Sequence, residues 1–295
     1  MLPLGQSKFL SYTYPMWLLF ACLAGLLYTV QGLMTRHVLR GQKDAWAFSF
    51  YFSLIGALVS MPFLLTGVKV PFSWQPWALA LLVGLLIVGQ NFFNFKSTNF
   101  IEASISGAIT KFRLVWIFIL SLVILGEGFS WLKLFGTLLT VGAGLVIIQR
   151  IKRPKSSLGV LLAFSATIFY AVIIILYKYL LVSFNSVSLT FFVTFLPAVV
   201  INLVLMSQAF TRVKKMFQEN GLLVFIACVF GALANLALNQ GLAMGEATKV
   251  LVIIEAFLVL TLVGEHFFLK EKEYAWVKIA AVLFATLGAI LIRLS

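Results

Sequence analysis

The feature that most constrains this chain is a succession of long apolar runs, set apart by short segments that hold most of its charge. The runs cover 15–34, 45–65, 76–97, 103–125, 131–149, 158–181, 186–207, 221–243, 248–268 and 274–293. About 20 apolar residues in a row are enough to cross a bilayer as a helix. A helix also satisfies its own backbone in the absence of water. The 295 residues are 62% hydrophobic and 11% charged, where a soluble protein would carry about 25% charge. That composition requires lipid as the solvent. The expected fold class is an all-α polytopic membrane protein of ten transmembrane helices, a multi-pass integral protein of the cell membrane.

The net charge of +13 invites a nucleic-acid reading, which the distribution of charge rejects. The basic residues sit in short loops beside apolar runs, where the positive-inside rule and phosphate headgroups favour Lys and Arg. A nucleic-acid binder would gather them on one face of a soluble domain. Cys22 and Cys228 both fall inside apolar runs and read as small core residues. They build neither a disulfide framework nor a zinc site. The segment Met1–Tyr14 is polar and has no signal-cleavage pattern, so the first run is expected to stay as a span.

Several connections are very short, around Glu102, around Glu246 and at Gly126–Gly128, as between antiparallel neighbours. Pro62, Pro71, Pro76 and Pro154 fall at span ends, where a missing N–H does no harm. Pro197 falls inside a span and should kink it. The basic stretch Gln149–Ser157 is the clearest linker. It suggests a division into a first five-helix repeat at 1–149, a linker at 150–157 and a second repeat at 158–295.

Comparing the halves supports that division. At an offset of 144, Asn91 falls on Asn235, Glu102 on Glu246, Ala103 on Ala247, Leu125 on Leu269, Glu127 on Glu271 and Gly144 on Gly288. Apolar matches are cheap in such a chain, so the glutamates carry the argument. The stretch 88–148 has two acidic residues, and both land on Glu. At an offset of 142, Tyr28 matches Tyr170, Val30 matches Val172 and Arg36 matches Lys178. Five spans per half make the second repeat enter the membrane inverted. Inverted repeats are typical of carriers that hold substrate near the midplane.

These paired motifs resemble the EamA-type drug/metabolite transporter superfamily. The likeness lies in two copies of one pattern: Glu102–Ala103, then Leu125-Gly126-Glu127, then Gly142-Ala143-Gly144; and Glu246–Ala247, then Leu269-Lys270-Glu271, then Gly288. The resemblance implies a ten-helix carrier that works by alternating access around a central cavity. Such a permease would move amino acids, nucleotide sugars, vitamins, amines or other metabolites. Members usually carry a proline early in the fourth and ninth spans. This chain instead reads Thr110-Lys111-Phe112-Arg113 and Ile254-Glu255-Ala256.

That departure places charge inside the membrane, at a cost of about 2.5–3.5 kcal/mol per ionised group. Lys111 and Glu255 are related by the 144 offset, so the repeat would set them at equivalent positions facing each other. Lys111 would take an anionic group. Glu255 would take a cationic one or a coupling proton. A structural ion pair stays open as the alternative. Arg113 lies about 200° around a straight helix from Lys111, so it is expected to pair elsewhere or to snorkel. Asn91 and Asn94 on the third span, with Asn235 and Asn239 on the eighth, each share a helix face. They read as substrate contacts or as interhelical glue. Tyr28 and Gln31 on the first span, with Tyr170 and Tyr177 on the sixth, would line the cavity or pack it. Glu102, Glu127, Glu246 and Glu271 are expected to cap helices or pair with loop lysines.

The expected function is secondary-active transport of a small polar or zwitterionic metabolite, with protons as the candidate coupling ion. A channel, a scaffold, or a carrier for nucleotide-type, cationic or drug-like compounds remains open. No catalytic residue, metal site or cofactor is expected: Asp44 is the one aspartate, and no HExxH is present. The expected partners are the lipid bilayer and the solute, with no nucleic acid and a monomeric state. Basic residues concentrate in the loops after the odd-numbered spans, which places those loops in the cytoplasm and both termini outside. The family resemblance implies the reverse.

Overall fold

The computed structural model describes residues 14–39, 44–97, 100–101, 109–148, 156–206, 209–258 and 275–295. Every regular element among them is helical. In chain order these are α1 (Tyr14–Leu39), α2 (Ala45–Ser60), α3 (Gln75–Ser97), α4 (Arg113–Leu125), α5 (Trp131–Ile148), α6 (Ser157–Leu180), α7 (Ser186–Leu205), α8 (Ala209–Met244), α9 (Ala247–Leu258) and α10 (Ala275–Arg293). Six helices are long and apolar enough to cross a membrane by length and composition: α1, α2 with its extension, α3, α6, α7 and the Gly221–Met244 part of α8. The linker expected at 150–157 and the residues Glu102, Ala103, Leu269, Lys270 and Glu271 lie wholly or mostly outside the described residues.

Lipid-facing and core-facing sides separate by helical period. On α1, Leu19, Leu23 and Leu26 stand exposed, while Ala21 and Ala24 are buried. The small residues let neighbouring helices approach, and the leucines meet acyl chains, where exposing them costs nothing. Helices α5 and α10 approach closely. A Cβ on Gly136 would lie 2.7 Å from the Gly288 carbonyl oxygen, and one on Gly288 would lie 2.6 Å from that of Gly136. Only glycine fits at either place.

The packing is reciprocal between the halves. α1 packs on α8 as α6 packs on α3, and α1 meets α9 as α6 meets α4. α2 packs on α8 as α7 packs on α3. α5 with α10, α4 with α9 and α2 with α7 each pair with their own counterpart. Shifting each of these helices by five reproduces these pairings.

Three local features depart from the sequence reading. The expected eighth span at 221–243 is the inner part of a longer helix that already holds Arg212, Lys214 and Lys215, which were expected in a loop. Nothing between Ala209 and Gly221 is a proline or glycine, so the helix has no reason to stop. Where a kink was expected at Pro197, the chain forms π-helical turns over Leu189–Phe195, just before it. Proline lacks an N–H for the carbonyl four residues back, and wider turns rearrange that ladder. Trp17 stands near the start of the first run, where an interfacial anchor would sit, but is buried against Gly245, whereas Trp74 and Trp131 are exposed at helix starts.

Candidate functional site

The centre of the molecule is built where α4 begins. Lys111 and Phe112 form a turn ahead of Arg113. The backbone there uses short-range bonds: Phe112 N–H to the Ile109 carbonyl at 3.0 Å, Leu114 to Lys111 at 3.1 Å, and Val115 to Phe112 at 3.0 Å. Each spans three residues, as in a 3₁₀ turn. At three residues per turn, positions i and i+2 lie about 120° apart, against about 160° in an α-helix. Both basic side chains can therefore converge on one neighbour.

That neighbour is Glu255 on α9, which is 1% exposed. Lys111 Nζ donates to Glu255 Oε2 at 2.5 Å and to the Glu255 carbonyl oxygen at 3.1 Å. Arg113 donates from Nε and Nη2 to Glu255 Oε1. The guanidinium lies over the Tyr170 ring, 4.3 Å from its centroid. The expected facing of Lys111 and Glu255 is thus an ion pair. The expectation that Arg113 would pair elsewhere is corrected, because the turn at 111–112 swings it to the same carboxylate. The clasp joins α4 of the first half to α9 and α6 of the second.

Of the other residues singled out from the sequence, Tyr28, Tyr170 and Tyr177 share the central apolar cluster. Tyr28 lies within electrostatic reach of Tyr170, Tyr177 and Arg113. The amides sit further off. Asn91 donates to Ser49 Oγ on α2 at 3.4 Å. The main-chain carbonyl of Asn94 accepts the Ser97 hydroxyl at 2.7 Å. Asn235 donates to the Gly231 carbonyl of its own helix at 2.9 Å. Asn239 donates to Thr190 Oγ1 on α7 at 2.8 Å, and its Oδ1 is buried without a hydrogen-bond partner among the described residues. Gln31 donates to Thr35 Oγ1 at 3.2 Å.

A second polar group lies where α4, α5, α6, α8 and α9 end together. Glu127 accepts from Ala247 N–H at 2.6 Å and from Thr248 Oγ1 at 3.0 Å, capping α9. Ser121 Oγ and Thr248 Oγ1 are 2.8 Å apart. Lys133 is paired with Glu246 and donates to the Gly128 carbonyl at 2.8 Å. Gly126, at φ +66°, supplies the left-handed turn that brings Glu127 round. The expected capping and lysine pairing of Glu127 and Glu246 is what is found. Lys178 on α6 donates to the Leu242 and Gly245 carbonyls at 2.5 and 2.6 Å, closing the end of α8. Sequence reasoning gave Lys178 no role, although a lysine in the last turn of an apolar run was a usable signal.

Fold and site together define a multi-pass integral membrane protein of helices, with polar junctions between its halves. The EamA-like transporter family matches twice, over residues 15–149 and 157–294. The chain belongs to that family of membrane transporters of small solutes. A solved structure, described only as the crystal structure of a protein, has a similar fold at a TM-score of 0.72. The match covers 93% of this chain and 95% of that one, at 16% identity. No curated protein matches the chain.

Proposed function

We propose that this chain is a secondary-active carrier that moves a small polar or zwitterionic metabolite by alternating access. In this reading it has ten spans in two inverted five-helix repeats, 1–149 and 158–295, joined by the basic segment 150–157. The observation that carries the reading is the clasp of Glu255 by Lys111 and Arg113. Ionised groups inside a membrane protein usually face a substrate pathway or a proton relay, and this set lies between the halves. The reciprocal packing of α1–α5 and α6–α10 supports a site on the axis that relates the repeats. In the same reading, Glu255 carries the coupling proton.

The test needs no known substrate. Cys22 and Cys228 are replaced by Ala, and Tyr28→Cys supplies the single thiol in protein reconstituted into liposomes. A carrier exposes that thiol to a membrane-impermeant maleimide added on either side, while the vesicles stay closed to ions. Labelling from neither side identifies a scaffold. Labelling from both sides with ion conductance identifies a channel.

A further inference from the structure

Among the described residues the clasp holds more positive than negative charge, and this bears on what the carrier recognises. Lys111 and Arg113 bring two positive charges, and Glu255 brings one negative charge. The helical stretch of α4 starts at Arg113, so the positive end of its dipole adds to the same place. Both Glu255 oxygens are engaged, Oε2 by Lys111 and Oε1 by Arg113. The carboxylate therefore offers no bare oxygen to a substrate ammonium.

Donors remain instead. A guanidinium carries five N–H groups in a rigid fork. Glu255 takes the side edge, formed by Nε and Nη2. The end-on edge, formed by Nη1 and the second N–H of Nη2, has no hydrogen-bond partner among the described residues. Tyr170 fixes the guanidinium plane by stacking on it. The Arg113 side chain is 17% exposed, against 1% for Glu255, so the arginine is the more accessible member.

We propose that the end-on edge of Arg113 is the anchor for an oxyanion on the substrate, a carboxylate or a phosphate, and that Arg113 sets the carrier's preference for acids. Glu255 then acts as a positioning residue that holds the fork, and a planar carboxylate docks on it in two-point fashion. This rests on the carrier reading above and narrows it: the anionic end of the solute is recognised, and its cationic end is not bound by Glu255.

The experiment measures binding by thermal shift in detergent and uptake into liposomes. The probes are matched sets of an amino acid, its amide and its decarboxylated amine, together with inorganic phosphate. Stabilisation and uptake by acids or phosphate, but not by the amides and amines, is expected. Arg113→Lys should weaken acid binding about 10-fold and Arg113→Gln about 100-fold, the scale of a charged hydrogen-bonded pair. If Arg113→Gln does not fold, the acid-to-amide ratio in Arg113→Lys decides, and it should fall. Equal binding of acids and amides, undiminished acid binding in the variants, or no response to any acid or to phosphate would overturn the proposal. Two-sided labelling of the thiol in the Tyr28→Cys protein without acid preference would leave the carrier standing and remove this inference alone. Failure of the labelling would remove both.

Discussion

Among the described residues Glu255 answers the buried Lys111 and the partly buried Arg113, so its loss is felt through the residues left behind. Breaking a buried pair by removing one partner costs about 3–5 kcal/mol, because the other charge stays buried. Glu255→Ala is therefore expected to lower unfolding stability in detergent by about that amount. Replacing Lys111, Arg113 and Glu255 together by Met should cost much less, since no charge is then stranded. A triple variant as unstable as Glu255→Ala would locate the cost in packing. The pairing of Lys111 with Glu255 was legible in the sequence, because the repeat offset relates them. The part played by Arg113 was not. Its place depends on a 3₁₀ turn at 111–112, and a straight helix turns it the wrong way. The amides were legible as polar positions, but their partners Ser49 and Thr190 are set by packing between α2 and α3 and between α7 and α8.

Helices of this chain stop and meet where small or capping residues allow. α5 and α10 cross at Gly136 and Gly288, where added atoms would strike backbone. Gly136→Val should cost about 1–3 kcal/mol by overpacking and lower the melting temperature. An unchanged melting temperature would contradict the crossing. At the other end of the fold, Asp44 caps α2 and is bound by Arg212 of α8, with Arg212 Nη2 donating to Oδ1 at 2.5 Å. Burial pushes the Asp44 carboxyl up. The Arg212 hydrogen bond and the backbone N–H groups of Ala47 and Trp46 outweigh it and hold the carboxyl below its ordinary range. The stability this contributes is full above the unfolded value, about pH 3.9. It is lost as pH falls through the lower folded value. Asp44→Asn keeps a capping side chain and should be less stable than wild type at about pH 6, with the gap closing toward about pH 3. A gap constant with pH would assign the loss to the cap. Apolar runs made most helix bounds legible. The extension of α8 and the π turns of α7 were hidden, because hydropathy reports burial in lipid and not where a helix stops or how its backbone bonds are paired.

Among the described residues, the main helix pairings of one half are repeated by the other. The glutamates and the basic linker are the sequence signals that suggest two halves, and the family matches twice, over 15–149 and 157–294. Orientation follows from charge. Arg212, Lys214 and Lys215 stand at the start of α8, at the end of the bundle that also holds Asp44. The charge count would place that end in the cytoplasm and, with the ten spans proposed above, Ser295 outside, the reverse of what the family resemblance implies. A reporter fused to Ser295 is expected to read outside, and a cytoplasmic signal would reverse the assignment. Alternating access also requires the opposite end to open. There Glu127 holds Ala247 and Thr248, and Lys133 holds Glu246, in each case across the two halves. The most direct measurement is the distance between spin labels at Phe129 and Met244, one on each side of this contact, in protein reconstituted into lipid without native cysteines. Two distance populations are expected. Glu127→Ala should raise the weight of the longer one by about 2- to 30-fold, the effect of losing about 0.5–2 kcal/mol of capping. A single distance, unchanged by Glu127→Ala, would mean that the halves do not move and that the carrier reading is wrong.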